Sequence, residues 1–227
     1  MTAKDMFSHR VSILTGHYGT GKTEVSVNLA LALAAEGEQV MLADLDIVNP
    51  YFRSRERRPL LEKAGVRVIS SSQACSDADV PALPAELLTI LENREIRGIL
   101  DIGGDPVGAR VLARFQPKIV QEDYQLIFDL NANRPEVRDA ESAAAYLRSI
   151  EAVTGLTCSG LVNNTHLCGE TTPAEIRKGA ALAQEVSRQT GIPILCHTAE
   201  RRFLESLSDL GEPVFPIAIN MKKPWER

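Results

Sequence analysis

The chain has 227 residues, of which 44% are hydrophobic and 24% are charged, and it carries a formal net charge of −5. This length and composition predict one globular domain over residues 1–227 and argue against a disordered chain or two large domains. The negative charge argues against nucleic acid as a partner. No signal peptide and no run of about 18 apolar residues is present, so we expect a cytoplasmic protein without a membrane anchor.

Eight short apolar segments predict β-strands. Because they are apolar throughout rather than alternating, both faces of each strand are expected to be buried in a mostly parallel sheet. In chain order the predicted strands are Arg10–Leu14, Gln39–Ala43, Arg67–Ser70, Gly98–Ile102, Gln125–Leu130, Ser159–Asn163, Pro193–His197 and Val214–Ile219.

Helical patterns separate these strands, and glycines follow several of their predicted ends. The predicted helices are Lys22–Glu36, Pro59–Ala64, Pro84–Arg94, Val107–Phe115, Pro135–Val153, Pro173–Thr190 and Arg202–Leu210. Thr172 before Pro173, with Glu175 three residues on, predicts an N-cap and a capping box. The alternation predicts an α/β fold: a doubly wound, mostly parallel sheet of about seven or eight strands with helices on both faces.

The segment "GHYGTGKT" lies between the first predicted strand and the first predicted helix and fits the pattern G-x-x-x-x-G-K-[ST]. Its glycines let backbone N–H groups surround a phosphate at the start of a helix. Lys22 is predicted to reach the β- and γ-phosphate oxygens, and the Thr23 hydroxyl to bind Mg²⁺. The predicted nucleotide-binding residues of this loop are Gly16, His17, Tyr18, Gly19, Thr20, Gly21, Lys22 and Thr23.

Carboxylates follow two other predicted strands. Asp101 ends "ILD" and is followed by Gly104, a D-x-x-G pattern whose glycine N–H is placed to sense a γ-phosphate. Asp44 and Asp46 stand two residues apart in "ADLD". We expect Asp44 and Asp101 to support Mg²⁺ and Asp46 to deprotonate an attacking water. A solvated turn rich in Asp and Asn is the alternative interpretation of the Asp44–Asp46 segment.

Together, "GHYGTGKT", "ADLD", "LDIGG" and the strand end "GLVNN" resemble the MinD/ParA/CobQ-CobB group of P-loop ATPases, and the "D-x-D-x-x-N-P-Y-F-R" segment resembles stand-alone ATP-binding members of that group. The resemblance implies ATP with Mg²⁺ and an ATP-dependent homodimer. It makes Lys22 and Asp46 catalytic and gives the adenine contact to Asn164, or to Asn163 if the register differs by one. The aspartate of the guanine motif N-K-x-D is missing, since His166 or Leu167 takes its place.

His17 stands where many members of this group carry a lysine that reaches the partner's phosphates. Histidine is shorter and is cationic only conditionally, since its ordinary pKa is near 6.5. Three possibilities stay open: His17 itself, an arginine of "YFRSRERR" with Arg53 preferred, or no substitute and slow hydrolysis. Tyr18 is expected to pack over the loop or against a partner, with direct nucleotide contact as the alternative.

Three functions remain open from the sequence. The first is a dimeric ATPase switch acting on an unknown macromolecular partner. The second is a small-molecule kinase or ATP-dependent ligase, with Asn131, Asn133 and Arg134 as polar contacts to its substrate. The third is a nucleotide sensor or metallochaperone, although the four scattered cysteines form no CxxC pair. We therefore expect the cysteines to be reduced structural thiols, with a metal site assembled across chains as the alternative. We expect the segment with His166, Cys168 and Glu170 to form a loop rather than a metal site.

Overall fold

The computed structural model describes residues 1–46, 54–70 and 85–221. Within them, every predicted strand is confirmed, with its ends shifted by no more than three residues. The strands are β1 Val11–Thr15, β2 Gln39–Leu45, β3 Arg67–Ser70, β4 Ile96–Ile102, β5 Tyr124–Leu130, β6 Cys158–Asn163, β7 Ile194–Glu200 and β8 Val214–Ile217.

The eight strands form one sheet in the order β3-β2-β4-β1-β5-β6-β7-β8, and every neighbouring pair is parallel. β1 lies between β4 and β5, where successive crossovers depart in opposite directions. In an open parallel sheet this reversal leaves a crevice at the carboxyl ends of the strands, where ligands bind. The segment that follows β1 is the predicted phosphate loop.

Helices cover both faces of the sheet. They are α1 Ala3–Met6, α2 Lys22–Ala35, α3 Arg58–Lys63, α4 Ala85–Glu92, α5 Pro106–Ala109, α6 Gln116–Ile119, α7 Ala140–Thr154 and α8 Pro173–Thr190. One apolar cluster joins α2 and α3 to one face, through residues such as Leu29 and Leu61. Another joins α4, α7 and α8 to the opposite face, through residues such as Ile90 and Leu147. The doubly wound α/β fold is therefore confirmed.

Three predicted helices are interrupted in the structure. The segment predicted as Val107–Phe115 is α5 followed by a 3-10 helix, Arg110–Arg114, and Arg202–Leu210 is replaced by two 3-10 turns, Arg201–Phe203 and Glu205–Leu207. In Pro135–Val153, a 3-10 turn ends at Val137, and Asp139 then caps α7 by accepting a hydrogen bond from Ser142 N. An acidic side chain that satisfies a first-turn N–H restarts a helix, which the periodicity of apolar residues does not reveal.

The predicted helix ends are confirmed at Gly37, Gly65, Gly155 and Gly191, all of which have left-handed backbone conformations. Thr172 caps α8 and accepts a hydrogen bond from Glu175 N. The structure gives the Thr172 half of the capping box, and one Glu175 carboxylate oxygen is buried without a partner among the described residues.

Candidate nucleotide-binding site

The predicted phosphate loop, Gly16–Thr23, connects the end of β1 to the start of α2. Gly16, Gly19 and Gly21 have φ angles of 151°, 77° and 98°, which residues with a side chain rarely adopt. Neighbouring groups also leave these glycines no room: a Cβ on Gly16 would lie 2.5 Å from the carbonyl oxygen of Asp129. The loop therefore needs glycine for both its conformation and its packing.

Lys22, the first residue of α2, reaches the loop that follows β2. Its Nζ lies 3.4 Å from Oδ2 of Asp46, and both side chains are about 6% exposed. Two opposite charges so deeply buried must be paired, because an isolated one would carry a large desolvation penalty. The structure therefore brings together the two residues predicted to be catalytic.

Asp44 and Asp101 lie side by side, since they are register partners on the neighbouring parallel strands β2 and β4. Both are buried, and neither oxygen of Asp101 has a hydrogen-bond partner among the described residues. Burial raises the pKa of Asp101 to about 7, an effect that the charge of Asp44 reinforces and that of Lys22 opposes. Such a carboxylate, without a donor of its own, is suited to a cation or to water bound to one.

A magnesium ion fits these residues. It takes oxygen ligands and keeps several waters, so it needs few protein side chains. In the described part of the chain, no three His, Cys, Asp or Glu side chains are grouped closely enough to hold a metal alone. Thr23 and the unpartnered Asp101 are the groups that would hold Mg²⁺ together with phosphate and water, with Asp44 beside them.

The loop after β4 packs directly on the phosphate loop. A Cβ on Gly104 would lie 2.8 Å from the carbonyl oxygen of Gly16 and 2.9 Å from the backbone N of Tyr18, and one on Gly103 would lie 3.5 Å from Oδ1 of Asp46. Tyr146, on α7, donates a hydrogen bond from its hydroxyl to the carbonyl of Gly104. The D-x-x-G loop thus connects the phosphate loop, the Asp46 carboxylate and α7.

His17 lies against its own chain. Its Nδ1 is 3.1 Å from the carbonyl oxygen of Tyr18 and 3.7 Å from Oε2 of Glu136. Its ring meets that of Tyr146 edge to face, with centroids 5.0 Å apart. Tyr18 is 55% exposed. The backbone and α7 contacts of His17 hold its ring beside the D-x-x-G loop rather than extended from the surface.

Asn163 and Asn164 are both buried, and both side-chain amides form hydrogen bonds with other protein groups. Asn164 Nδ2 donates to the carbonyl of Thr20, 3.0 Å away, and its Oδ1 accepts from the Thr198 hydroxyl. Asn163 Nδ2 lies 3.0 Å from the backbone oxygen of Ile176 and from His197 Nδ1. Asn164 therefore supports the phosphate loop, and its contact with adenine remains a prediction.

Two further residues, Asp129 and Arg134, lie beside the phosphate loop in contacts that the sequence pattern does not show. Asp129, near the end of β5, is fully buried beneath Gly16, and burial raises its pKa to about 8 against the hydrogen bond from Asn164. Arg134 was predicted only as a substrate contact, yet its Nε donates to the carbonyl of Gly19. "FDLNANR" repeats the pattern of an apolar strand ending in aspartate seen in "LADLD" and "GILDI", which was a usable signal for Asp129.

The remaining candidates from the sequence are the arginines after β2 and the His166–Cys168 segment. Arg53 lies outside the described residues, and Arg58 is in an exposed pair with Glu62. In the loop after β6, His166 Nδ1 is 3.9 Å from Cys168 Sγ. The His166 ring packs on Gly21, and burial, with the nearby charge of Arg134, lowers its pKa. The described residues hold no helix with the length and apolar character that a membrane crossing requires.

Comparison with known proteins relates part of the chain to P-loop NTPases. Residues 6–54 match the ParA family model described as NUBPL iron-transfer P-loop NTPase. A cytosolic Fe-S cluster assembly factor, cfd1, from Emericella nidulans is 36% identical over 95 residues, which are 42% of this chain and 26% of that protein. An iron-sulfur cluster carrier protein from Escherichia coli K12 is 50% identical over 40 residues, which are 18% and 11% of the two chains. The alignments thus span about a quarter or less of these relatives.

Solved structures agree in fold. The cell division protein ftsY from Thermotoga maritima is 23% identical, with a TM-score of 0.56 over 81% of this chain and 59% of that one. The signal recognition particle 54 kDa protein from Aeropyrum pernix, in complex with GDP, is 22% identical, with a TM-score of 0.52 over 82% and 40%. At these identities the likeness concerns the fold alone. The predicted resemblance is confirmed: part of the sequence is similar to the ParA family of P-loop NTPases, and the chain has the fold of P-loop NTPases.

Proposed function

We propose that this chain is a cytoplasmic, Mg²⁺-dependent ATPase that works as a nucleotide-controlled dimeric switch. The observation that carries the proposal is the buried group at the start of α2 and the carboxyl ends of β2 and β4. There a lysine of the phosphate loop is paired with Asp46, beside a carboxylate, Asp101, that has no hydrogen-bond partner among the described residues. This arrangement has a cation for phosphate, a base for water and a carboxylate for a metal.

Phosphate and Asp46 compete for Lys22. In the structure, the Lys22 ammonium is paired with Asp46 at 3.4 Å. A triphosphate in the loop carries more negative charge than one carboxylate and draws Lys22 towards its β- and γ-oxygens. Asp46 is then the carboxylate that takes the proton of an attacking water. Nucleotide binding thereby prepares the base that hydrolysis requires.

Magnesium bound by Thr23 and Asp101 would neutralise phosphate charge during the reaction. The chain's own contribution is to keep those ligands buried and ready. Asp44, next to Asp101 across the β2–β4 pair, adds negative charge that favours a cation at this point.

The switch resides in the loop after β4. Gly104 packs on the backbone of Gly16 and Tyr18, so a γ-phosphate in the loop competes for the space and the N–H groups at this contact. A change in the position of Gly104 would act on Tyr146 and hence on α7, through the hydrogen bond between them. Loops ordered by γ-phosphate and released on hydrolysis are how nucleotide switches signal to partners.

Substitution of Lys22 and of Asp46 tests the proposal. Lys22→Ala should weaken ATP binding about 100-fold or more, because it removes a buried charge that bonds to phosphate. Asp46→Asn should keep ATP binding but slow hydrolysis about 100-fold or more, the usual contribution of a general base. Calorimetry and phosphate release measure the two effects, and Lys118→Ala, at a half-exposed lysine on α6, is the matched control.

Unchanged ATP affinity in Lys22→Ala would refute the phosphate site, and unchanged hydrolysis in Asp46→Asn would refute the base. Light scattering of Asp46→Asn protein should show a dimer with ATP and a monomer with ADP, whereas a monomer in both would rule out the dimeric switch. ADP formation that requires an added metabolite would favour the kinase or ligase alternative.

The names of the relatives favour a second candidate, transfer of an iron–sulfur cluster. Such clusters are held by cysteine thiolates, usually four. Burial raises the pKa of Cys158 to about 12 and also raises that of Cys196, which disfavours both thiolates. Cys168 is partly exposed, and Cys75 lies outside the described residues, so a cluster would have to be shared by two chains.

Anaerobic reconstitution with iron and sulfide tests this candidate through the visible absorption of a cluster. Absorption in the parent that is lost in Cys168→Ser, but kept in the matched variant Cys158→Ser, would support a shared cluster. Failure of the parent to retain iron and sulfide after gel filtration would exclude it.

A further inference from the structure

Arg134 contacts the outer side of the phosphate loop. It lies between β5 and α7, and its Nε donates a hydrogen bond of 2.6 Å to the carbonyl oxygen of Gly19. The guanidinium carbon lies only 2.9 Å from the point where a Cβ on Gly19 would stand. The arginine therefore touches the loop at a residue whose left-handed backbone favours glycine.

Backbone hydrogen bonds hold the turn that carries Arg134. Arg134 N donates to the carbonyl of Asn131 at 3.0 Å, and Val137 N donates to the carbonyl of Arg134 at 3.1 Å. Pro135 further confines Arg134 to the extended region it occupies, with φ −99° and ψ 122°. The side chain is thus presented to Gly19 from a rigid turn.

This contact is one of three hydrogen bonds that hold the tip of the phosphate loop at Gly19 and Thr20. The peptide unit joining Gly19 and Thr20 gives its oxygen to Arg134 and its N–H to the carbonyl of His17, 3.1 Å away. The next oxygen, that of Thr20, is taken by Asn164. In a planar trans peptide the C=O and N–H point in opposite directions, so holding the Thr20 carbonyl outward turns Gly21 N–H inward, where phosphate binds.

We propose that Arg134 is a positioning residue for the phosphate loop. It fixes the peptide of Gly19 so that the loop has its phosphate-binding shape before nucleotide arrives, which removes an ordering cost from binding. The inference rests on the proposed function, since it concerns the same nucleotide site. The other explanation of Arg134 is direct attraction of phosphate by its charge, because its two Nη groups have no partner among the described residues.

Two substitutions separate a hydrogen bond from a charge. Arg134→Met keeps an unbranched side chain that ends at the position of arginine Nε, but it removes every donor and the charge. Arg134→Gln places an amide nitrogen the same number of bonds from Cα as arginine Nε, so it can donate to Gly19 without a charge. Arg138→Met is the matched control, because it removes an arginine that lies four residues away and is 73% exposed.

The readouts are ATP and ADP affinity by calorimetry and amide hydrogen exchange of the loop without nucleotide. We expect Arg134→Met to weaken both nucleotides about tenfold, the value of one charge-assisted hydrogen bond, and to speed exchange in the loop. Arg134→Gln should stay within about threefold of the parent, and Arg138→Met should change neither readout.

Two results would overturn the inference: parent-like affinity and exchange in Arg134→Met, or equal losses in Arg134→Gln and Arg134→Met, which would assign the effect to charge. Circular dichroism and urea unfolding of each variant ensure that folded proteins are compared. If Lys22→Ala also binds ATP like the parent, the proposed function fails. If Lys22→Ala loses ATP and Arg134→Met does not, only the role of Arg134 fails.

Discussion

Replacing Asp129 with asparagine should stabilise the protein, and the gain should depend on pH. Asp129 is fully buried beneath the phosphate loop; one of its oxygens accepts from Asn164 Nδ2 at 3.4 Å, and the other has no partner among the described residues. Burial raises its pKa from 3.8 to about 8, although Lys22 nearby favours the charged form. At neutral pH the folded protein therefore holds mostly the protonated acid, which asparagine imitates in shape and polarity.

The magnitude follows from proton linkage. A carboxyl whose pKa is raised by folding loses stability as pH rises from its unfolded pKa towards its folded pKa, because unfolding releases a proton in that range. At about 1.4 kcal/mol per pH unit, the penalty is up to about 4 kcal/mol at pH 7 and about 2 kcal/mol at pH 5. Asp129→Asn removes the penalty, so its advantage over the parent should roughly halve between these two pH values.

Urea denaturation followed by circular dichroism at pH 5, 6 and 7 measures the difference. The matched control is Asp139→Asn, the same chemical change at the exposed cap of α7, where the hydrogen bond from Ser142 lowers the pKa. Asp139 is ionised in both states across this range, so its substitution should leave the pH dependence unchanged. An Asp129→Asn protein that is less stable than the parent at pH 7, or an advantage independent of pH, would refute a protonated Asp129.

Two further predictions concern the contact between α7 and the phosphate loop. Tyr146→Phe removes the hydrogen bond to the Gly104 carbonyl and should cost about 1 kcal/mol of unfolding free energy. It should also reduce the preference for ATP over ADP; an unchanged ratio of the two affinities would contradict the coupling of α7 to the switch. His17→Ala removes the edge-to-face contact with Tyr146, which contributes about 0.5–1.5 kcal/mol, and should keep ATP affinity within about threefold because backbone N–H groups and Lys22 hold the phosphates. A much larger loss would show that His17 itself contacts nucleotide.

The sequence determined the strands and the main helices, because buried parallel strands and amphipathic helices leave strong local patterns. It also located the phosphate loop, since "GHYGTGKT" must combine glycines, lysine and threonine at fixed spacing. Its errors occurred where a local hydrogen bond overrode periodicity, as at the Asp139 cap, or where 3-10 turns replaced a helix after β7.

Tertiary structure alone decided which side chains meet. The strand order puts β4 and β5 on either side of β1, so Asp101 and Asp129 lie at the phosphate loop although they are far from it in sequence. Spacing along the chain carries no information about these contacts. For the same reason, the sequence did not reveal that the ring of Tyr146, from α7, contacts the ring of His17 in the phosphate loop.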